Sequence, residues 1–164
     1  MRQTALILAL ILWAIKIFSQ CNYNNTTFQS GEQLTYKVYY KIGFIWFNAA
    51  HAEFKVTDTL INNTKAFKFY SYGATEPNYD WIFKVRDRFI SCADVNTLSP
   101  LYFSRKTKEG SYSVDNQYKF NYADSLIYTK IKNTKKPQFY DTLKLNGCTL
   151  DVLTAIYACR TVNI

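Results

Sequence analysis

The sequence predicts a mainly β protein, built as a curved antiparallel sheet or half-barrel with one helix near the C-terminal end. Its composition is 18% aromatic, with 14 Tyr and 12 Phe against five Gly and three Pro. Tyr, Phe, Val, Ile and Thr favour a pleated, half-buried surface. Several segments also alternate apolar and polar residues, the period of a strand with one face in water. Apolar residues at helical spacing occur convincingly in one late segment only.

The first three strands follow from this alternation. Apolar and aromatic residues alternate with Thr and Lys over 34–41, and Gly43 marks a turn. The same pattern over 50–57 makes a second strand that forms a hairpin with the first. The Asn- and Thr-rich segment 58–65 is the next turn, and 66–73 is a third strand.

The pattern breaks at residues 76–80, and residues 81–83 are open between one helical turn and the start of a strand. Strands then resume in pairs, one around Gly110 and the next ending at Pro137, which cannot donate to a β ladder. These later strands are predicted at 85–90, 101–106, 111–121, 125–132 and 138–145.

The one predicted helix begins near Asp151, whose carboxylate can cap the N–H groups of the first turn. Arg160 lies near its C-terminal end, where a cation is favoured. The apolar stripe of this helix consists of Val152, Leu153, Ile156 and Tyr157. Because residues 161–164 read as the opening of another strand, we expect the domain to be incomplete at its C-terminal end.

The N-terminus predicts export. Arg2 precedes an unbroken apolar stretch over 5–15, and small Ser19 stands just before Gln20. These features are typical of a secretory signal peptide over residues 1–19, followed by a single domain over 20–164. An uncleaved anchor is the alternative, but the apolar stretch is shorter than the roughly 20 residues that span a bilayer. We therefore expect a protein of the periplasm or cell envelope.

Lipidation of Cys21 is a further alternative, disfavoured because Gln20 stands where a small residue is expected. Removing residues 1–19 takes away Arg2 and Lys16, so the net charge falls by two from +8 to +6. Such a charge favours anionic surfaces such as phospholipid headgroups. Export argues against nucleic acid, and we expect at most a peripheral association with membranes. The densest basic cluster, read as a solvated hairpin end, is Lys130, Lys132, Lys135 and Lys136.

The cysteines leave two interpretations open. Cys148 and Cys159 are close enough in sequence to form a disulfide across the last helical segment, and the expected compartment is oxidising. Buried free thiols are equally compatible with the sequence. A zinc site is not predicted, because there is no CxxC motif and only one histidine.

The sequence offers almost no basis for catalysis. His51 falls on the predicted solvent-exposed face of its strand beside Glu53, so we expect a solvated histidine. Nucleophile-elbow, phosphate-loop, zinc-protease and dinucleotide motifs are absent. We predict no catalytic residues, no metal and no cofactor.

The best candidate site is a charged, aromatic block that begins at Phe83. Charges inside an otherwise apolar strand must be paired or solvated. One interpretation is structural ion pairing that fixes strand register, involving Asp87, Arg88, Asp94 and Arg105. In the other, the guanidinium groups of Arg88 and Arg105 bind a phosphate or carboxylate at the mouth of a cavity.

The aromatic residues likewise admit two interpretations. They form the core, unless the sheet is too open to be filled by its own side chains and they line a cavity instead. The residues concerned are Phe44, Trp46, Phe47, Phe67, Phe69 and Trp81.

Motifs spread over roughly 28–164 resemble domain-of-unknown-function family 3108, a group of exported bacterial proteins. The resemblance is carried in order by Gly31, Glu32, Leu34 and Tyr36; Phe83, Val85, Asp87, Phe89, Ser91 and Asp94; Pro100, Arg105, Glu109, Gly110 and Tyr112; and Asp151, Tyr157 and Arg160. It implies an exported, mainly antiparallel β protein of uncharacterised activity, and no catalytic residues. Two departures are Val152, where the family often has Pro, and the lack of further strands after the helix.

The leading hypothesis is a non-enzymatic cell-envelope protein that binds an apolar or amphiphilic ligand, such as a lipid, in the curve of the sheet. The alternative is a structural or assembly factor that docks envelope proteins along a sheet edge. A hydrolase that uses His51 and a carboxylate comes last.

Overall fold

The computed structural model describes residues 23–162 as one antiparallel sheet whose eight strands lie in chain order, each paired with the next. The sheet is curved and unclosed, which confirms the predicted fold class. The strands are β1 (Gln33–Ile42), β2 (Ile45–Ile61), β3 (Thr64–Thr75), β4 (Val85–Asp94), β5 (Pro100–Glu109), β6 (Tyr112–Asn121), β7 (Leu126–Asn133) and β8 (Lys136–Lys144).

Short turns connect these strands. Asn62 and Asn63 take positive φ angles of 49° and 66° between β2 and β3, and Gly110 takes 59° between β5 and β6. Gly and Asn reach this left-handed region at the least steric cost. These residues therefore mark two of the reversals of the chain.

Strand β2 begins five residues earlier than the sequence predicted. The last residue of β3, Thr75, lies opposite Ala50, so the part of the β1–β2 hairpin before Ala50 extends beyond β3. The alternation of polar and apolar residues fails over 44–49, which hid this extension from the sequence analysis.

Residues 81–83 are neither helix nor strand. A 3-10 turn over Pro77–Tyr79 is followed by turn residues and two irregular ones before β4 begins. This loop packs against the projecting hairpin, because the Phe47 and Tyr79 ring centroids are 5.2 Å apart.

Within the described residues one α-helix occurs, α1 (Val152–Arg160), and Asp151 anchors it to the sheet. The Asp151 carboxylate accepts hydrogen bonds from the Leu153 and Thr154 backbone N–H groups, each at 3.0 Å. Ser91 Oγ, on β4, donates to the same carboxylate at 2.7 Å. Burial raises the pKa of Asp151 even though these hydrogen bonds oppose the shift. The predicted cap therefore also fixes where α1 lies on the sheet.

The core lies between α1 and the middle of β2, β3 and β4. Tyr157 of α1 stacks on Phe69 of β3 with ring centroids 4.1 Å apart and planes 11° apart. Phe28 packs edge-on to both rings. The buried apolar cluster consists of Phe28, Val56, Phe69, Ala93, Leu98, Leu153, Tyr157 and Ala158.

The face of the sheet that α1 covers is called the helix face below, and the other the outer face. The predicted signal peptide, its cleavage between Ser19 and Gln20, and Cys21 lie outside the described residues. No helix in the described part of the chain is long and apolar enough to cross a bilayer.

Candidate functional site

The two candidate ligand-binding arginines lie on opposite faces of the sheet. Arg105 is in register with Phe89, two residues from Ser91, so it lies on the helix face. Arg88 is in register with Tyr72 and lies on the outer face, because successive strand residues point in opposite directions. The two guanidinium groups therefore cannot hold one ligand within the same concavity.

Arg105 is better placed than Arg88 to bind an anion on the helix face. Its guanidinium carbon lies 6.0 Å from the centre of the Phe89 ring, and its Nη2 lies 3.9 Å from Glu109 Oε1. Its Nε is buried and has no hydrogen-bond partner among residues 23–162. Arg105 thus keeps donor capacity for an anion on the helix face.

In the described part of the chain no salt bridge joins the four residues of the predicted ion-pair network, although the charge of Arg105 acts to lower the pKa of Asp87. Asp87 accepts a hydrogen bond from the Lys108 backbone N–H at 3.2 Å, and its pKa is raised by burial and by the charge of Glu109. Asp94 instead accepts hydrogen bonds from the backbone N–H groups of Asn96 and Thr97.

Two other ion pairs secure this part of the sheet. Arg86 Nη2 lies 2.6 Å from Asp80 Oδ2, which ties β4 to the preceding loop. Lys106 Nζ lies 3.1 Å from Asp115 Oδ2 and joins β5 to β6 on the outer face. The salt bridges of this region thus join residues other than the four named from the sequence, and the pairing of those four stays a prediction.

The disulfide between Cys148 and Cys159, one of the two interpretations that the sequence left open, is not formed. Cys148 is disulfide-bonded, whereas Cys159 is a free, exposed thiol near the end of α1. Cys92 is also a free thiol and is buried on the outer face, where burial raises its pKa. The two cysteines are close in sequence, but Cys148 precedes α1 and Cys159 lies near its end, so the length of the helix separates them.

His51 lies on the outer face and is about one-third exposed. Its Nδ1 lies 3.0 Å from Glu76 Oε1, and Asn48 Nδ2 donates to the same oxygen at 3.3 Å. These contacts attach β2 to the start of the β3–β4 loop. In residues 23–162 no three His, Cys, Asp or Glu side chains are grouped to hold a metal ion.

The most ligand-like feature is a groove of about 470 Å³ between α1 and the first two strands, called the helix groove below. It is open to solvent, and Tyr36 on its wall is 51% exposed. Its lining is mainly apolar and consists of Leu34, Tyr36, Ala52, Phe54, Ile156, Tyr157 and Arg160.

Tyr157, which contributes to this lining, has a hydroxyl that is buried from solvent. Its side chain is 1% exposed, and its hydroxyl has no hydrogen-bond partner among the described residues. Burial, with the nearby charge of Glu32, raises the pKa of Tyr157 to about 12. The hydroxyl therefore stays protonated and available as a donor, an arrangement that costs free energy unless an acceptor is supplied.

Arg160 is the charged residue of the groove lining, and Glu32 holds it in place. Arg160 Nη1 and Nη2 donate to the two Glu32 carboxylate oxygens at 2.6 Å and 2.9 Å, a bidentate pair. The Arg160 guanidinium carbon also lies 5.2 Å from the centre of the Tyr157 ring. The groove thus combines an apolar wall with a fixed guanidinium.

A larger hollow of about 620 Å³ lies at the β2–β3 turn and is less suited to a ligand. It includes Asp58, Leu60 and Lys65, which are half-buried or exposed. No buried side-chain donor without a partner lines it among the described residues. The helix groove is therefore the better candidate.

The family comparison agrees with the sequence resemblance. A family model described as "Protein of unknown function (DUF3108)" matches residues 35–163. The chain belongs to this family. No curated protein and no solved structure matches it. Within this DUF3108 chain, Tyr157 and Arg160 of the groove were noted from the sequence as part of the family pattern.

The sequence analysis missed the exposed aromatic residues. Phe67 packs against the core and Phe69 lies in it, but Phe44, Trp46 and Trp81 are exposed, so neither core nor cavity describes them. A usable signal was present, because residues 44–47 are all apolar and follow directly on the turn at Gly43.

Proposed function

We propose that this chain is an exported cell-envelope protein that binds an apolar or amphiphilic molecule in the helix groove without catalysing a reaction. The observation that carries the proposal is the apolar, solvent-open groove beside α1, which has the fixed guanidinium of Arg160 in its lining. Ligand sites are mostly apolar concavities with a few polar groups that fix orientation. The N-terminal sequence supports export, as argued from its apolar stretch.

The lining divides the expected ligand into two parts. Leu34, Phe54 and Ile156 offer an apolar wall for a hydrocarbon chain. Arg160 places a guanidinium at the edge of this wall, where Glu32 holds it, so the polar end of an amphiphilic ligand would lie there.

Docking of partner proteins along a sheet edge has less support. The described sheet ends at β1 and β8, and every residue of β8 is exposed. However, β8 begins with Lys136 and Pro137, and lysine and proline are residues that blunt an edge against strand addition. The groove therefore remains the favoured site.

Binding of cis-parinaric acid, a fluorescent fatty acid, tests the proposal. The Ile156→Trp variant places a larger side chain in the groove, and we expect its affinity to fall about tenfold or more. Val152→Trp is the matched control, because Val152 is similarly exposed on α1 but does not line the groove. We expect this control to bind like the unaltered protein, and circular dichroism verifies that both variants fold.

Two results would contradict the proposal. One is equal affinity of the Ile156→Trp variant and its control. The other is a protein purified from its own cell envelope that native mass spectrometry consistently finds without a bound lipid, together with no parinaric acid binding.

A further inference from the structure

One end of the sheet carries a second unexplained surface, formed by two segments far apart in sequence. The β1–β2 turn projects beyond β3, and the β3–β4 loop packs beside it. The Glu76 backbone N–H donates to the Ala49 carbonyl at 2.9 Å, which fixes the loop against β2. The Gly110 backbone N–H donates to the Lys84 carbonyl at 2.8 Å and holds the far end of the same loop.

This surface is called the aromatic tip and is unusually apolar for a surface. Phe44 is fully exposed, and Trp81 is 82% exposed. Large exposed apolar patches on soluble proteins mark sites of interaction with proteins or membranes. The tip consists of Ile42, Phe44, Ile45, Trp46, Trp81, Ile82 and Phe83.

Two lysines lie beside the tip. Lys41 Nζ lies 5.5 Å from the centre of the Trp46 ring, and Lys84 follows Phe83 directly.

The charged residues beside the tip have a small positive excess. Asp80 contacts both Arg86 and Lys84. Glu76 contacts His51. Over 41–47 and 76–86 the three cations Lys41, Lys84 and Arg86 outnumber the two acids by one, so the charge around the aromatic tip is positive.

We propose that the aromatic tip docks the protein onto an anionic phospholipid bilayer. Trp and other aromatic side chains favour the membrane interface, and lysines near the surface are attracted to anionic headgroups. The backbone of the hairpin is paired between β1 and β2 almost to the turn, so a shallow insertion leaves few backbone groups without hydrogen bonds. A second copy of this chain would bring like charges together, which favours the bilayer as the occupant. The proposal does not depend on the helix groove.

Tryptophan fluorescence can report directly on contact between the tip and lipid. Trp46 and Trp81 are the tryptophans of the described residues, and Trp13 is the third in the chain. In a full chain that carries Trp13→Phe, tryptophan emission comes only from the tip. The N-terminal apolar stretch can tether this chain to a membrane, but tethering alone does not place Trp46 and Trp81 among lipid chains.

The experiment adds this full chain to vesicles that contain brominated phosphatidylcholine, with or without phosphatidylglycerol. We expect a blue shift and quenching of the emission with phosphatidylglycerol, and weaker effects with phosphatidylcholine alone or at high salt. Unchanged emission with both vesicle types would overturn the proposal. So would equal quenching with both, because the charge argument would then fail.

Matched variants test the residues. The combination Phe44→Ser, Ile45→Ser and Ile82→Ser should weaken vesicle binding about tenfold or more, because it removes exposed apolar area. The control combination is Leu60→Ser, Tyr140→Ser and Leu143→Ser, which alters exposed residues elsewhere and should leave binding within about twofold.

Sedimentation velocity in the absence of lipid tests whether the tip binds a second copy of this chain instead of a bilayer. We expect the tip variant and the unaltered chain to sediment alike. Self-association that the tip variant abolishes, with no quenching by lipid, would assign the tip to a second copy and overturn the proposal.

Discussion

The core beneath α1 and the aromatic tip are built from the same residue types and have opposite exposures. Phe69 is fully buried between Tyr157 and Phe28, whereas Phe44 is fully exposed. The exposures differ because α1 covers the middle of the sheet, whereas the β1–β2 hairpin projects past its neighbours and has no second layer over it. An aromatic residue in a β sequence therefore indicates a strand or its turn, but burial requires a second layer.

The first prediction contrasts Phe69→Ala with Phe44→Ala. Phe69→Ala opens a cavity under α1 and should lower the free energy of unfolding by about 3–5 kcal/mol. Phe44→Ala removes no packing and should change it by less than about 0.5 kcal/mol. Urea denaturation measures both values, and similar losses for the two variants would show that the tip is covered in solution.

The second prediction concerns the attachment of α1, on which the cover of the core depends. Asp151→Ala removes the helix cap and the hydrogen bond from Ser91, and should cost about 2 kcal/mol of unfolding free energy. Asp141→Ala is the control, because Asp141 is exposed on the edge strand β8. If the two variants lose equal stability in thermal unfolding, the cap does not hold the helix to the sheet.

The third prediction has the smallest expected effect and concerns the ion pair between Arg160 of α1 and Glu32. Glu32→Gln weakens the bidentate pair with Arg160 and should cost about 1 kcal/mol at neutral pH. The hydrogen bond from Arg160 lowers the pKa of Glu32 below its ordinary value of 4.5, against the opposing effect of burial. The pair therefore stabilises the fold above that value, and the stabilisation is lost as the pH falls through the lowered pKa.

The measurement for this third prediction is the free energy of unfolding of both proteins across the acid range. The difference between them should shrink as the pH falls, because Glu32 becomes neutral in the unaltered protein. Glu53→Gln is the matched control, since Glu53 pairs at 3.2 Å with Lys55, a partly exposed neighbour on the same strand. A difference that stays constant with pH would mean that the charge of Glu32 does not contribute.

The candidate site was less predictable than the fold for a physical reason. Tyr157 and Arg160 were recognisable as parts of a helix, but Glu32 lies 128 residues before Arg160. Periodicity reports which face of an element is apolar and contains no information on which distant element covers it. The helix groove exists only because α1 lies beside β1 and β2.

The arginine pair and the disulfide both depended on long-range geometry. Arg88 and Arg105 are in adjacent strands, and one step of register decides that they lie on opposite faces. Cys148 and Cys159 are close in the chain, yet Cys159 remains a free thiol. Neither adjacency of strands nor nearness in sequence fixes which side chains meet.

Local backbone preferences and a period of two or 3.6 residues were enough to predict most of the strands, the turns at Asn and Gly, and the capped helix at Asp151. The burial of individual aromatic residues, the groove beside α1, and the exposure of Phe44, Trp46 and Trp81 at one end of the sheet depended on tertiary packing. Those outcomes depend on how far each hairpin extends and where α1 lies, which are long-range packing choices that no local pattern encodes.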